Sequence, residues 1–484
     1  MRCSQARTVH NDGIAGQRLP ASHFFFHPLI YFIAEGNVCP LRAARAPTPS
    51  HAGDNPFGIK PSRRNSNACL PCIPRQPLCL AGGCVHHVSM TEINRDTISS
   101  AQWSALVDSA VRLRHDLHRH PELPWQERRT ADVIRQQLDA AGISWRVCAE
   151  TGTVATLAAD AAGDAIALRA DIDALPIVEA SGADYTSTVD GCMHACGHDG
   201  HTATLFAALW WLKKHEASLP QPVTLLFQPA EEGGHGAREM IADGALEGVS
   251  RVYGWHNWPA IPYGQAVCPD GPVMAANGTF RITVKGRGGH ASQPEKCRDP
   301  VLAASAITLS LQQLVSRRLP PQEAAVVSVT SIDAISADTV IPDQAVLAGS
   351  IRLARDSSRP VVESLIVETA RDTAKAYGVE AEVELFPRYG ATINHAGPAA
   401  DYRQALYDEF GSDWHCNDVH VPIMASEDFS YYLKEVPGAF ALVGADDGHG
   451  HHEPCHSPRY DFNDKLIRHM GRIYARLAGA PVPE

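Results

Sequence analysis

Cysteine and histidine residues lie unusually close together in the segment GCMHACGHDGHTA, residues 191–203. Cys196 and His198 are separated only by Gly197, so a thiolate and an imidazole can reach one ion from a single turn of backbone. The glycine makes this close approach possible. The spacing therefore predicts a metal-binding site.

Two adjacent carboxylates follow an apolar run in the segment QPAEEGGHG. A dinuclear hydrolase needs two such groups with different roles, and Glu231 and Glu232 could provide them. One would bind metal, while the other would accept a proton from an activated water and hand it to a leaving amine. The residues alone do not say which glutamate has which role, and a solvated acidic loop is the alternative.

Histidines in two other segments could complete such a site. His256 lies between two tryptophans in YGWHNWP, although a lone histidine in that setting is more often a core residue. Near the C-terminus, His456 precedes a turn-forming Ser-Pro. Composition cannot distinguish it from three neighbouring histidines: His449, His451 and His452.

Two aspartates follow the apolar run at the start of AIALRADID. Asp171 and Asp173 could bind a metal directly. They could also accept a hydrogen bond from a histidine ligand and so fix its tautomer, and we favour this second role.

Helical stretches alternate with short apolar runs after Met90, which is typical of an α/β fold. The runs AIALRADID and PVTLLFQPAEE both end in carboxylates. Enzymes of this class bind ligands at the carboxyl ends of their strands. We therefore predict a mostly parallel sheet with the site at that edge.

The pattern changes between residues 277 and 386 to strand, helix, strand, strand, helix, strand, which is a ferredoxin-like order. Segments rich in potential ligands resume after it. We therefore predict a catalytic α/β domain in two parts, 90–276 and 387–484. The ferredoxin-like α+β domain, 277–386, is inserted between them as a lid.

Residues 1–89 differ from the rest, since they are rich in proline and cysteine and show no sustained period. The apolar run 24–34 is too short to span a bilayer and no convincing cleavage pattern follows it. We predict a disordered or non-native extension, with Met90 as the true start and a transit peptide as the alternative. A zinc site is a further, less favoured interpretation of four cysteines: Cys69, Cys72, Cys79 and Cys84.

Composition narrows the choice of partner. The chain has 484 residues, of which 44% are hydrophobic and 20% charged, with a formal net charge of -12. This acidic balance argues against nucleic acid or an anionic membrane, which normally demand a basic face, so we expect a small-molecule substrate. The free cysteines after Met90 suit a reducing compartment and predict a cytoplasmic location.

Nine motifs follow in order after Met90: HRHPEL, RADIDALPI, MHACGHDGH, QPAEEGGHGA, GWHNWP, GGHASQP, IPD, SEDFSYY and HSPRYDFND. Together they resemble the dinuclear metal amidohydrolases that include hippurate hydrolase, N-acyl-amino-acid hydrolases and the plant auxin-conjugate hydrolases. The resemblance implies hydrolysis of the amide bond of N-acyl amino acids. It also implies a metal-binding α/β domain with an inserted lid, usually dimeric through that lid.

The same resemblance assigns roles around two divalent ions. It implies five metal ligands: Cys196, His198, Glu232, His256 and His456. Glu231 becomes the general base, Asp173 is grouped with the catalytic residues, and Asp171 supports a ligand. Cys196 would bridge both ions. A thiolate favours zinc, yet the family is often associated with manganese, so we expect manganese or zinc, with cobalt and nickel as alternatives.

Three lid residues complete these expectations. His290 of GGHAS resembles a histidine that reaches across the dimer and stabilises the oxyanion of the neighbouring site; a glycine-rich turn with an incidental histidine is the alternative. Arg352 of GSIR resembles an arginine that grips a substrate carboxylate. Thr339 stands directly before VIPD, at a position where related lids often carry an asparagine, so substrate choice can differ from the family's norm.

Two other functions fit parts of this pattern. A dinuclear aminopeptidase or dipeptidase would need an anionic pocket for a free amine, and spacing alone reveals none. A non-catalytic metal- or ligand-binding homologue would have no reason to retain Glu231 as a base. The preferred acyl group and amino acid carry no readable motif.

Overall fold

The structure is a computed structural model that describes residues 93–484, with side chains from residue 100. The predicted extension 1–89 and its cysteine cluster lie outside the described residues. The helices are α1 (Ile93–Arg119), α2 (Arg128–Ala140), α3 (His198–Lys214), α4 (Gly236–Ala242), α5 (Pro300–Leu311), α6 (Arg359–Ala376), α7 (Ala396–Phe410), α8 (Ser430–Glu435) and α9 (Lys465–Leu477). The strands are β1 (Trp145–Cys148), β2 (Gly152–Leu157), β3 (Ala165–Asp171), β4 (Val223–Gln228), β5 (Val249–Pro262), β6 (Ala266–Val267), β7 (Gly271–Met274), β8 (Ala276–Lys285), β9 (Gly289–His290), β10 (Ala325–Asp333), β11 (Val340–Ile341), β12 (Gln344–Leu353), β13 (Glu380–Pro387), β14 (Thr392–Asn394) and β15 (Gly438–Asp446).

A seven-stranded sheet forms the larger part of the molecule, in the order β1-β2-β4-β3-β5-β15-β6. Its four central strands, β4, β3, β5 and β15, are parallel to one another. The predicted α/β class is thereby confirmed. The three outer pairings are antiparallel, and for β1 and β2 the reason is the short turn at residues 149–151, which is too short for a parallel crossover.

Helices cover both faces of this sheet. Trp103 of α1, Phe206 of α3 and Met470 of α9 belong to the hydrophobic cluster on one face. Met240 of α4 and Tyr432 of α8 belong to the cluster on the other. Because side chains on both faces are covered, every residue of β3 and β4 is buried, as expected for strands inside an α/β sheet.

A second, four-stranded antiparallel sheet has the order β10-β12-β8-β13. Apolar residues of α5 and α6, including Ile307 and Ile366, pack against Phe280 and Ile282 of β8. This is the strand and helix order that the sequence predicted for the lid. The division of the chain at 277 and 386 stays a prediction, although β8 and β13 begin and end within one residue of it.

The two connections between the sheets lie side by side. The Tyr389 backbone N–H donates to Oδ1 of Asn277 at 2.8 Å, and the Arg388 N–H donates to the Asn277 carbonyl at 3.1 Å. Both connections therefore leave the four-stranded sheet at one place, next to β7 and β14, which pair with each other in a separate two-stranded sheet. Within residues 93–484, no helix combines the length and apolar character that crossing a membrane requires.

Candidate metal centre

The predicted site residues lie where neighbouring parallel strands end. Asp171 closes β3 and Asp173 follows it, while Glu231 and Glu232 follow β4. His198 is the first residue of α3, directly after Gly197 at φ 91°. A Cβ on this glycine would lie 2.4 Å from the Tyr460 hydroxyl, so a side chain there would push this turn away.

The five predicted metal ligands meet in two overlapping groups. Ligand atoms of Cys196, His198 and His256 lie within 4.8 Å of one another, and so do those of Cys196, Glu232 and His456. The Cys196 Sγ lies 3.3 Å from Nε2 of His256, and Glu232 Oε1 lies 3.0 Å from Nε2 of His456. Cys196 is the side chain that these two groups share.

Two buried atoms of these groups lack hydrogen bonds among the described residues. They are Nε2 of His198 and Oε1 of Glu232. The Glu232 oxygen lies close to His456, but the two groups do not have hydrogen-bond geometry. Leaving buried polar atoms unpaired costs free energy, and a cation would satisfy both. The thiolate, imidazole and carboxylate donors therefore fit divalent metal ions.

Hydrogen bonds orient the histidines toward this space. The His198 Nδ1–H donates to the Asp173 carbonyl at 3.0 Å, and the His256 Nδ1–H donates to the Asn257 carbonyl at 2.6 Å. Each bond leaves Nε2 as the lone-pair nitrogen. Burial, followed by His201, also lowers the pKa of His256 well below its usual value, which keeps this imidazole neutral.

Asp173 holds several parts of the site together. Its carboxylate accepts the backbone N–H groups of Glu231 at 3.1 Å and Glu232 at 2.9 Å, and Oδ1 lies 3.2 Å from Nδ1 of His198. These contacts hold Asp173 against His198 and against the loop that carries the two glutamates.

We expect Asp173→Asn to weaken metal binding about 10- to 100-fold, the usual cost of removing a hydrogen-bond partner of a ligand. The asparagine amide would present donors to a backbone N–H that needs an acceptor. Metal titration of the stripped protein measures the change. Asp190→Asn, at an exposed position in the loop before Cys196, is the control. Equal metal affinities for the two variants would contradict the role of Asp173.

Asp171 has a second histidine partner that the sequence did not single out. The Nδ1 of His201 lies 2.7 Å from Asp171 Oδ1, and His198 Nε2 lies 3.5 Å from Oδ2. These three side chains form another group that could hold a cation. Asp171 can therefore support His201 or join the ligands.

Glu231 is 6% exposed and lies beside the ligand groups. The Asp428 backbone N–H donates to its Oε1 at 3.3 Å. Burial, followed by the carboxylates of Glu427 and Glu232, raises the pKa of Glu231 well above its usual value. A carboxylate with a raised pKa can hold a proton near neutral pH and then return it, which suits a general base that later acts as an acid.

A buried ion cluster beneath the site was missed by the sequence analysis. The Arg169 guanidinium lies 2.7 Å from Asp171, 2.9 Å from Glu427 and 3.3 Å from Asp428. It offsets negative charge in a region from which water is excluded. The motifs RADID and SEDFSYY contained these residues, but nothing in the spacing shows that segments more than 250 residues apart meet.

A cavity of about 400 Å³ opens over the site. Arg352 lines it, and its guanidinium donates to Ser426 Oγ at 2.7 Å. His290 and Thr339 are exposed and are not among the residues that line the cavity of their own chain. Of the four C-terminal histidines, His456 is the one that joins a candidate ligand group within residues 93–484.

The model of peptidase family M20/M25/M40 matches residues 167–480. Over 395 residues the chain is 35% identical to the IAA-amino acid hydrolase ILR1-like 5 of Arabidopsis thaliana, covering 80% of this chain and 90% of that protein. It is 39% identical to the N-acetyl-L-cysteine deacetylase of Bacillus subtilis (strain 168), covering 73% and 84% of the two chains. The crystal structure of the Bacillus subtilis YXEP protein, a dinuclear metal-binding peptidase from the M20 family, superposes with a TM-score of 0.67 and 33% identity, over 78% of this chain and 98% of that one.

Proposed function

This chain belongs to peptidase family M20/M25/M40, and on that premise we propose that it hydrolyses the amide bond of N-acyl amino acids. The products are a carboxylic acid and a free amino acid. The names of two relatives, an IAA-amino acid hydrolase and an N-acetyl-L-cysteine deacetylase, support this reaction class.

One observation carries the proposal: a buried Glu231 lies beside two candidate ligand groups that share Cys196, in a cavity that Arg352 also lines. The metal-ligand side chains and Glu231 provide the hydrolytic side of the cavity. The guanidinium of Arg352 provides an anchor for the carboxylate that every N-acyl amino acid carries. A substrate of this class would bring its amide between the two.

Five residues would hold the metals: Cys196, His198, Glu232, His256 and His456. When bound, divalent ions supply polarisation of the scissile carbonyl and lower the pKa of the attacking water. We propose manganese or zinc as the native ion, because the ligands combine a thiolate and imidazoles with a carboxylate.

The protein side chains carry the proton transfers. Glu231 accepts a proton as water attacks the amide carbon, and it donates that proton to the departing nitrogen as the C–N bond breaks. Asp173 keeps His198 and the Glu231 loop in place throughout. Arg352 holds the carboxylate of the amino acid, which fixes the amide relative to Glu231.

We propose a homodimer formed through the lid, in which His290 of one chain stabilises the oxyanion in the site of the other. The exposure of His290 on β9, away from the cavity of its own chain, supports this arrangement. Such a donor acts on charge that develops only in the transition state.

We expect His290→Ala to lower kcat about 10²- to 10³-fold with little change in KM, because an oxyanion donor is lost while ground-state contacts remain. Steady-state kinetics with an N-acyl amino acid measures the change, and His420→Ala, at another exposed histidine, is the control. Mixing His290→Ala and Glu231→Gln chains should raise turnover well above that of either variant alone, since one site of each hybrid dimer would combine an intact Glu231 with an intact His290. No restoration after verified subunit exchange would place His290 outside the partner's site.

The rival function, an aminopeptidase or dipeptidase, needs a free amine on its substrate. A panel that pairs each N-acetyl amino acid with a dipeptide of the same C-terminal residue separates the two functions. We expect turnover of the acyl compounds and little of the dipeptides. The opposite preference would refute the proposed function.

We also propose a cytoplasmic location. The seven described cysteines are all free, and six of them are buried, which suits a reducing compartment.

A further inference from the structure

Two arginines line the active-site cavity, although the sequence analysis singled out only one. Arg352 lies on strand β12 of the lid, and Arg388 directly follows β13, where the chain leaves the lid. The Arg352 guanidinium donates to Ser426 Oγ, and Nη2 of Arg388 donates to the Gly233 carbonyl at 3.0 Å. Both are half-buried.

Neither guanidinium forms a salt bridge with a carboxylate anywhere in residues 100–484. The three glutamates of the cavity have neighbours other than these two arginines. Glu427 pairs with Arg169 at 2.9 Å, Glu231 accepts the Asp428 backbone N–H at 3.3 Å, and Glu232 lies 3.0 Å from His456 among the candidate metal ligands. Arg352 and Arg388 are also close enough to repel each other: burial and then the charge of Arg388 lower the pKa of Arg352.

Two guanidiniums without a carboxylate partner line one cavity, so together they offer donors to more than one anionic group. A guanidinium has five N–H donors in a planar fork that matches a single carboxylate, and the bond to Gly233 uses one donor of Arg388. A substrate with one carboxylate would satisfy Arg352 and leave the charge of Arg388 unpaired in a half-buried position.

We infer that the preferred substrates carry two carboxylates, the first bound by Arg352 and the second by Arg388. This inference rests on the proposed function. The second carboxylate belongs either to the side chain of an acidic amino acid or to a dicarboxylic acyl group, and the chemistry that recognises it is the same.

Isosteric substrate pairs distinguish these two sources. N-acetyl-glutamate and N-acetyl-glutamine differ by one negative charge on the amino-acid side. N-succinyl-alanine and N-succinamoyl-alanine, in which a primary amide replaces the terminal carboxylate, differ by one negative charge on the acyl side. For the full-length, metal-loaded enzyme we expect the charged member of at least one pair to have a kcat/KM about 10- to 100-fold higher, the usual range for a hydrogen bond to a charged group. That pair identifies the source.

Arg388→Gln should abolish this preference while retaining turnover of the neutral substrates, and Arg388→Lys should retain part of the preference. Arg238→Gln is the matched control: it removes the positive charge of an exposed side chain on helix α4, near the same loop but outside the cavity. If Arg238→Gln retained the preference for charged substrates, general surface charge would not be the cause of that preference.

Failure of this inference is distinct from failure of the proposed function. Turnover of neutral N-acyl amino acids with no preference for either charged member, or an unchanged preference in Arg388→Gln, would overturn the inference alone. If Arg388→Gln lost the neutral substrates as strongly as the charged ones, Arg388 would be a positioning residue for the Gly233 loop and the inference would also fall. No turnover of any substrate would overturn the proposed function and the inference together.

Discussion

Glu231→Gln is expected to lower kcat about 10⁴-fold, the upper end of the range for a positioned general base, while both metal ions stay bound. The amide keeps the size of the carboxyl group but cannot take a proton from water near neutral pH. The ligand groups around Cys196 do not require the Glu231 side chain, because Glu232, His256 and His456 complete them. Metal content measured by mass spectrometry, together with steady-state kinetics, tests both halves of this expectation.

The control for this experiment is Glu247→Gln, an exposed glutamate beyond helix α4 whose loss should leave kcat within experimental error. A Glu231→Gln protein that kept both metals and more than a few per cent of its turnover would mean that the base is misassigned. Glu427, which also lines the cavity, would then be the next candidate.

Cys196→Ala is expected to abolish turnover because it removes the one side chain that belongs to both ligand groups. Each group keeps two side chains, but neither retains the three protein ligands that catalytic metal sites usually have. We expect at least one ion per chain to be lost at metal concentrations that load the parent protein fully. Metal content after gel filtration and kcat with a saturating N-acyl amino acid measure the effect.

Cys192→Ala is the matched control, since this cysteine is also buried, lies four residues earlier and belongs to none of the candidate ligand groups. It should bind two ions and remain active. If Cys196→Ala also bound two ions and turned over at the parent rate, the shared position of Cys196 between the groups would have no role in metal binding.

Regular patterns in the sequence were sufficient to predict the main elements of the fold. Buried runs such as AIALRADID became β3, and the order of strands and helices after Asn277 became the four-stranded sheet with α5 and α6. These predictions succeed because periodicity reflects burial, which each residue experiences locally. The antiparallel outer strands of the larger sheet were not indicated, since pairing depends on connections that a single apolar run does not encode.

The candidate site was predictable only in part. Residues in dense local motifs, such as Cys196 and His198, showed their chemistry in their spacing. Tyr389 did not, although its hydroxyl donates to the Glu231 carbonyl at 2.5 Å and accepts from the Gly233 N–H at 2.8 Å. Arg169 and Arg388 were missed for the same reason: their roles depend on partners that are distant in sequence, and an isolated arginine is ordinarily a surface charge.

The most direct test of the central claim, metal-dependent hydrolysis of N-acyl amino acids, is to strip the full-length protein of metal and refill it separately with manganese, zinc, cobalt and nickel. Each form is then assayed against a panel of N-acyl amino acids while its metal content is measured. We expect no turnover after stripping, and turnover restored as the content approaches two ions per chain with manganese or zinc. No turnover of any compound in the panel with two ions bound, or full activity in the stripped protein, would contradict metal-dependent hydrolysis of N-acyl amino acids.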